Sequence, residues 1–286
     1  MRKTLFKNVE KLVQTFNVIE NKLNKWHLEP TYEHSGKTSL SDEQEYLSIC
    51  VKASSNEEVF TKFRSCIEYK AILEHVDANL GAEYLAILLQ RGYSPKKIQQ
   101  ILDGRIGKPS RFWYQKIGKA SPTELRYIKV LSDLEEIFGS LTDFRLAEVG
   151  VGFGGQCSTV MKQAKILSYD LVDLPEVLDL ASKYLKCHQI EPRINLCKDF
   201  LPSEKDFDLF VSNYALSELK YEVQMHYINN FILRSKRGYV IYNHITPKEF
   251  GTLSADDFSK FIPGSIVVNE IPCTHPGNKL IIWGYQ

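Results

Sequence analysis

In Glu148-Val-Gly150-Val-Gly152-Phe-Gly154-Gly155, one carboxylate stands two residues ahead of a run of alternating glycines. Apolar residues lead into the run and the helix-like segment Gln156 to Ala164 follows it, so the pattern predicts a strand, a glycine turn and a helix N-terminus. Glycine suits a tight turn, and without a Cβ it lets a ligand come up against backbone N–H groups. The chemistry this pattern offers is a nucleotide-type cradle.

Two ligand classes use such a cradle, because Gly150, Gly152 and Gly155 also satisfy the G-x-G-x-x-G spacing of dinucleotide sites. Glu148 separates them. A carboxylate repels a diphosphate in a poorly screened site, yet it suits S-adenosylmethionine, whose ammonium and sulfonium are both cationic. The stretches that follow match what such a donor needs. Ile166 to Val172 reads as a second strand ending in Asp173, 23 residues beyond Gly150 (173 − 150), where an acid can accept ribose hydroxyls. Pro175 then opens a helical pattern over Glu176 to Gln189. Arg193 to Cys197 reads as a third strand, followed by Asp199 to meet an adenine amino group and Phe200 to stack on its face. Asp208 to Asn213 and Gly238 to Asn243 read as the fourth and fifth strands. Ser265 to Ile271 and Lys279 to Trp283 read as a closing hairpin, expected of a methyltransferase and not of the usual dinucleotide fold. The fold class expected is α/β: a Rossmann-like seven-stranded sheet, parallel with a C-terminal antiparallel hairpin, preceded by a helical N-terminal region.

Together, Glu148-x-Gly-x-Gly-x-Gly, Asp173-Leu174-Pro175, Asp199-Phe200, Ser212-Asn213-Tyr214-Ala-Leu-Ser217-Glu218-Leu219 and the hairpin resemble the class I S-adenosylmethionine-dependent methyltransferases. More narrowly, Gly150-Val-Gly-Phe-Gly-Gly-Gln156 with Ser212 to Leu219 is similar to the bacterial sugar O-methyltransferases, over Ser121 to Gln286. The Asp173-Leu-Pro element is also similar to that of plant-type small-molecule O-methyltransferases. Those carry a histidine base after the fourth strand, where this chain has Ser217 with Glu218 beside it. The resemblance implies S-adenosylmethionine as cofactor, held by Glu148, Gly150, Gly152, Gly154, Asp173, Leu174, Asp199, Phe200, Ser212 and Asn213. It implies methyl transfer to a hydroxyl of a sugar or sugar conjugate. A phenol or amine acceptor is one alternative, and a non-catalytic binding protein on the same fold is another.

The methyl group of such a donor is already activated, so alignment with the acceptor oxygen and exclusion of water carry much of the rate. A sugar hydroxyl also has a proton to lose, which makes a general base worth about a hundred- to ten-thousand-fold. In an open parallel sheet the ligand lies beyond the carboxyl ends of the strands. That places Tyr214 and Glu218 after the fourth strand, and Asn243 and His244 after the fifth, next to the acceptor. His244, which titrates near neutrality, and Glu218 are the candidate bases. Each also has a plainer role, His244 as a hydrogen-bond partner at a strand end and Glu218 as a cap of the helix starting near Tyr221. His226, inside that helix, reads as facing solvent or core. Tyr214 and Asn243 are candidate acceptor contacts, as are Arg111 and Tyr114 of the aromatic cluster Arg111-Phe-Trp-Tyr114, which would equally serve as a loop packed on the core.

The first 120 residues read as a helical region acting as acceptor pocket or lid, and 121–286 as the donor-binding domain. Phe6, Val9, Leu12, Val13, Phe16 and Ile19 recur at helical spacing, as do Val59, Phe63, Cys66, Ile67 and Leu73. Ser94-Pro95 and Ser121-Pro122-Thr-Glu124 read as helix starts, the second as a capping box. Two loops interrupt the region, 34–41 and 103–110. Gly36-Lys37-Thr38 in the first lacks the leading glycine of a phosphate loop, since position 31 is threonine.

Composition sets bounds on partners. The net charge of +1 and the absence of a basic stripe argue against nucleic acid. No run is long and apolar enough to span a bilayer, and the N-terminus lacks the apolar core of a signal peptide, so a cytoplasmic location is expected. Six cysteines without a C-x-x-C pair read as reduced thiols. No spacing demands a metal, and a homo-oligomer is left open.

Overall fold

The computed structural model describes residues 44–102, 104–190, 193–204, 206–243, 245–246 and 248–285. The helical pattern at Phe6 to Ile19, the loop at 34–41 and His244 lie outside the described residues. From residue 44 to residue 120 the chain forms short helices and one small hairpin. The helices are α1 (Gln44–Ser55), α2 (Glu57–Phe60), α3 (Ile67–Ile72), α4 (Ala78–Gln90) and α5 (Pro95–Ile101). The continuous helical period expected from Val59 to Leu73 is broken by a 3-10 turn at Phe63–Ser65. Ser94 does start α5, its hydroxyl accepting the Lys97 N–H at 3.1 Å. The aromatic cluster after Arg111 is not helical: β1 (Phe112–Tyr114) pairs antiparallel with β2 (Gly118–Ala120), as a run of β-favouring rings allows.

Then come α6 (Pro122–Phe138), β3 (Arg145–Val149), α7 (Gly155–Met161), β4 (Ser168–Val172), α8 (Pro175–Cys187), β5 (Ile194–Leu196) and β6 (Leu209–Asn213). The remainder is α9 (Tyr221–Asn230), β7 (Gly238–Tyr242), α10 (Ala255–Lys260), β8 (Ile266–Asn269) and β9 (Lys279–Trp283). The seven-stranded sheet has the order β5-β4-β3-β6-β7-β9-β8. Its first five strands run parallel, while β9 runs antiparallel to both β7 and β8. Strand order reverses between β3 and β6, which opens a crevice at their carboxyl ends.

Alternation along the strands feeds two cores. Leu146, Leu171, Val211 and Ile241 face one side with α6, α7 and α8, while Ala147, Val149, Phe210 and Val240 face α9 and α10. The first core also takes in Tyr46, Cys50, Phe63 and Tyr69, so packing runs across the boundary at residue 120. Trp283 is core, closing over Gly238, where a Cβ would lie 2.0 Å from its ring. No described helix is long and apolar enough to cross a membrane.

Helix α6 is buried from Pro122 through Leu134, its charges included. Asp133 pairs with Lys129 of the same helix at 2.8 Å and with Arg91, just past α4, at 2.5 Å, and it accepts the Tyr239 hydroxyl. The expected capping box at its start is absent. Ser121 Oγ has no partner among the described residues, and Glu124 turns to the buried Arg64 at 3.2 Å. A buried guanidinium binds a carboxylate more strongly than a backbone N–H does, which explains the exchange.

Candidate functional site

The glycine turn lies at the reversal point of the sheet. Gly150 has φ +79, and a Cβ there would stand 2.0 Å from the Ala215 Cβ in the loop after β6. Gly152 has φ +52 and is met by Leu73, whose Cδ1 would be 2.7 Å from an added Cβ. Gly150 therefore excludes a side chain by conformation and by contact, whereas at Gly152 the left-handed conformation is the constraint, since the Leu73 methyl can move aside. Gly154, also left-handed, precedes α7. Asp173 closes the turn. Its Oδ2 accepts the N–H groups of Val151 (2.8 Å) and Gly152 (3.2 Å), and its Oδ1 accepts that of Leu174 (2.8 Å). Burial, then the negative charge of Asp173, pushes the pKa of the Tyr227 phenol on α9 above its ordinary value.

Glu148 is 1% exposed and accepts the Tyr169 hydroxyl at 2.7 Å. Burial pushes its carboxyl up to about 8; the Tyr169 hydrogen bond opposes that rise, and Asp173 adds to it. At neutral pH the folded protein thus holds this acid uncharged.

Across the reversal, Ser212 is fully buried and its hydroxyl donates to Val149 O at 2.9 Å, tying β6 to β3. Asn213, one residue beyond the Val149–Ser212 pair, carries a buried Oδ1 with no partner among the described residues. Tyr214 adopts a left-handed conformation, φ +70, and its hydroxyl donates to Glu270. Glu218 sits on the 3-10 turn Ala215–Glu218, and α9 begins at Tyr221 without a side-chain cap, so Glu218 does not cap it. Instead Asn243 Nδ2 donates to Glu218 Oε1 at 3.0 Å, and Asn243 N–H donates to Ser217 Oγ at 3.0 Å. The loop after β6 and the end of β7 are thereby held together.

Beyond β5, Asp199 is exposed and accepts the Leu201 N–H at 3.2 Å. Phe200 is left-handed, φ +59, and half-buried. His226 Nε2 lies 2.8 Å from Phe200 O, so its role is to hold this carbonyl. Arg111 and Tyr114 are not drawn into the site. Arg111 donates to Lys119 O across the small hairpin, and Tyr114 is core, its hydroxyl 3.3 Å from Ala78 O.

Residues that sequence reasoning passed over surround the turn. Arg64 is fully buried, pairs with Glu74 at 2.5 Å and Glu124 at 3.2 Å, and stacks 4.5 Å over the Phe153 ring in the glycine run. Arg126 and Tyr127, adjacent on α6, reach opposite sides of the crevice. Tyr127 packs edge-on to Phe153 at 5.9 Å, and Arg126 lies 5.7 Å over the Tyr214 ring. No local motif marks them, because their partners come from distant segments.

No protein-family model matches the chain, and no curated protein matches it. Among solved structures, the chain is similar to magnesium protoporphyrin IX methyltransferase from Synechocystis PCC 6803 with bound S-adenosylmethionine. That likeness has 14% identity and a TM-score of 0.44, over 56% of this chain and 77% of that one. It is also similar to the methyltransferase domain of bacterial CtHen1-C (18%, 0.39, 56% and 96%). A third likeness is to the PH0226 protein from Pyrococcus horikoshii OT3 (8%, 0.45, 57% and 91%). These likenesses are of fold.

Proposed function

We propose that this chain is an S-adenosylmethionine-dependent methyltransferase that delivers its methyl group to a hydroxyl of a sugar or sugar conjugate. The observation that carries the reading is the sheet itself: β9 lies antiparallel between β7 and β8, with the Glu148-to-Gly155 run at the β3–β6 reversal. A dinucleotide fold does not call for that hairpin.

The residues around the turn suit this donor. Asn213 Oδ1 is an acceptor in want of a donor, which fits an ammonium group. Glu148, neutral in the folded protein, can ionise when a cation arrives and so favours a cationic ligand. While it holds its proton it does not repel a diphosphate, so the repulsion expected from its position applies only to the ionised form. Asp173 would take the ribose, and Asp199 with Phe200 the adenine. When bound, the donor supplies a methyl group activated by its sulfonium. The chain supplies position and a proton acceptor, with Glu218 as the base and Asn243 fixing its carboxylate. The choice of a sugar rests on the Gly150–Gln156 and Ser212–Leu219 runs.

Isothermal titration with S-adenosylmethionine and S-adenosylhomocysteine tests the donor, and no heat with either ends the proposal. An acceptor screen that follows release of S-adenosylhomocysteine tests the rest. Turnover on phenols or amines with none on sugars would replace the acceptor class.

A further inference from the structure

Among the charged residues of α6, Arg126 alone makes no ion pair in the described structure, although it is only 6% exposed. Its neighbours are aromatic. The guanidinium lies 5.6 Å over the Tyr127 ring and 5.7 Å over the Tyr214 ring. Glu270, the acid that binds Tyr214, is engaged elsewhere: it accepts from the Tyr214 and Thr274 hydroxyls and from Asn278 Nδ2 at 3.0 Å. His75 offers no negative charge, and burial, then Arg126, holds its imidazole down at about 4. Cation–π contacts offset part of the desolvation of a buried guanidinium, and the remainder calls for an anion.

Arg126, whose side chain also hydrogen-bonds Tyr127, lacks only a counter-charge, and an unsatisfied hydroxyl stands beside it. The Tyr84 hydroxyl on α4 has no hydrogen-bond partner among the described residues, and the residue is 1% exposed. Arg126 is the charge that acts most strongly on this phenol. A guanidinium and a hydroxyl, both buried and both donors, form an anion seat: the planar fork binds a carboxylate or phosphate in two places and the phenol adds a third bond. The seat lies at the β3–β6 reversal, since Tyr127 packs on the glycine run and Tyr214 follows β6. Its other wall is α4, remote in sequence from the β4 and β5 ends assigned to ribose and adenine.

We infer that Arg126 and Tyr84 receive an anionic group carried by the acceptor, so that the substrate is a sugar acid or a sugar phosphate. Naming the ligand as the acceptor rests on the methyl-transfer reading; the anion seat does not. The same chemistry could come from the carboxylate of the donor's methionyl tail, and the experiment separates the two.

Melting curves are compared for the wild type, Arg126→Met and Tyr84→Phe with sodium phosphate, glucuronate or glucose at matched ionic strength. The wild type should gain about 4 °C from an anion at about ten times its Kd, with no gain from glucose. Arg126→Met should lose that gain, Tyr84→Phe should reduce it, and without anions Arg126→Met should melt no lower than wild type. A wild type unmoved by either anion overturns the seat. So does an Arg126→Met protein that melts lower but responds unchanged. Titration with S-adenosylhomocysteine and 5′-methylthioadenosine then identifies the source. Equal S-adenosylhomocysteine affinity in wild type and Arg126→Met supports the acceptor. An about tenfold loss confined to S-adenosylhomocysteine assigns the seat to the donor tail and overturns the acceptor assignment. Wild type that binds neither nucleoside refutes the methyl-transfer reading and leaves the anion result standing.

Discussion

Replacing Glu148 with glutamine keeps the shape and the hydrogen bond from Tyr169 but removes the titration. The folded carboxyl is raised to about 8 from an ordinary 4.5, so between those values the folded state holds a proton that the unfolded chain releases. Stability from this group is therefore complete below pH 4.5 and falls as pH rises, by about 1.4 kcal/mol per unit, until it levels off near 8. Over the whole window the loss approaches about 4 to 5 kcal/mol. Since a domain of this size shifts about 2–4 °C per kcal/mol, the melting temperature of Glu148→Gln should climb relative to wild type by about 4 °C per pH unit between pH 5 and 8. Melting curves at unit steps of pH in a common salt background measure this directly. Parallel curves for the two proteins would refute a neutral Glu148. The same acid reports on the ligand. An ammonium drawn to Glu148 would ionise it and release about one proton at pH 7. Titration of S-adenosylmethionine in buffers of different ionisation enthalpy detects that proton. Release from wild type and none from Glu148→Gln is expected; binding without release would remove Glu148 from the donor site.

Arg64→Met strands Glu74 and Glu124 in the core without their shared cation, so thermal or urea unfolding should show a loss of about 3–5 kcal/mol. Gly150→Ala forces a side chain into φ +79, at about 1–2 kcal/mol, and drives its Cβ into Ala215. Titration should show weakened S-adenosylhomocysteine binding, partly restored by adding Ala215→Gly, and unchanged binding would show that the turn is not the cradle. Glu218→Gln should keep the melting temperature and S-adenosylhomocysteine affinity while initial rates fall about a hundredfold or more. Full turnover in that variant would move the base elsewhere, with His244 next to be replaced.

The sheet was legible because its strands are short apolar runs separated by helical periods, a signal that survives without knowledge of partners. The hairpin β8–β9 was legible for the same reason. The small hairpin β1–β2 was not, since three aromatic residues beside an arginine fit a packed loop as well as a strand. Ser121 and Glu124 have the spacing of a capping box, but Arg64, sixty positions away, takes the glutamate. Local rules describe the competition within a helix turn and are blind to a cation delivered by the fold. Arg126 was hidden likewise. In sequence it belongs to the polar positions of an amphipathic helix, and only the packing of α4 and the β6 loop around α6 encloses it.

The glycine run shows the same limit from the other direction. Read as a motif, Glu148, the glycines and Asp173 are separate contacts to one ligand. In the fold they are already coupled to one another. Asp173 holds the Val151 and Gly152 N–H groups, Asp173 in turn helps push the Glu148 carboxyl up in pKa, and Gly150 makes room for Ala215 of the loop that carries Glu218. A ligand that draws on Asp173 must therefore alter the bonds that shape the turn, and one that ionises Glu148 must do so against Asp173. Such coupling holds the crevice in place before a ligand arrives, which lowers the ordering cost of binding. It also means that no single residue of the run can be replaced without touching the others. Double variants of Glu148 and Asp173 should for that reason depart from additivity, whatever the acceptor proves to be.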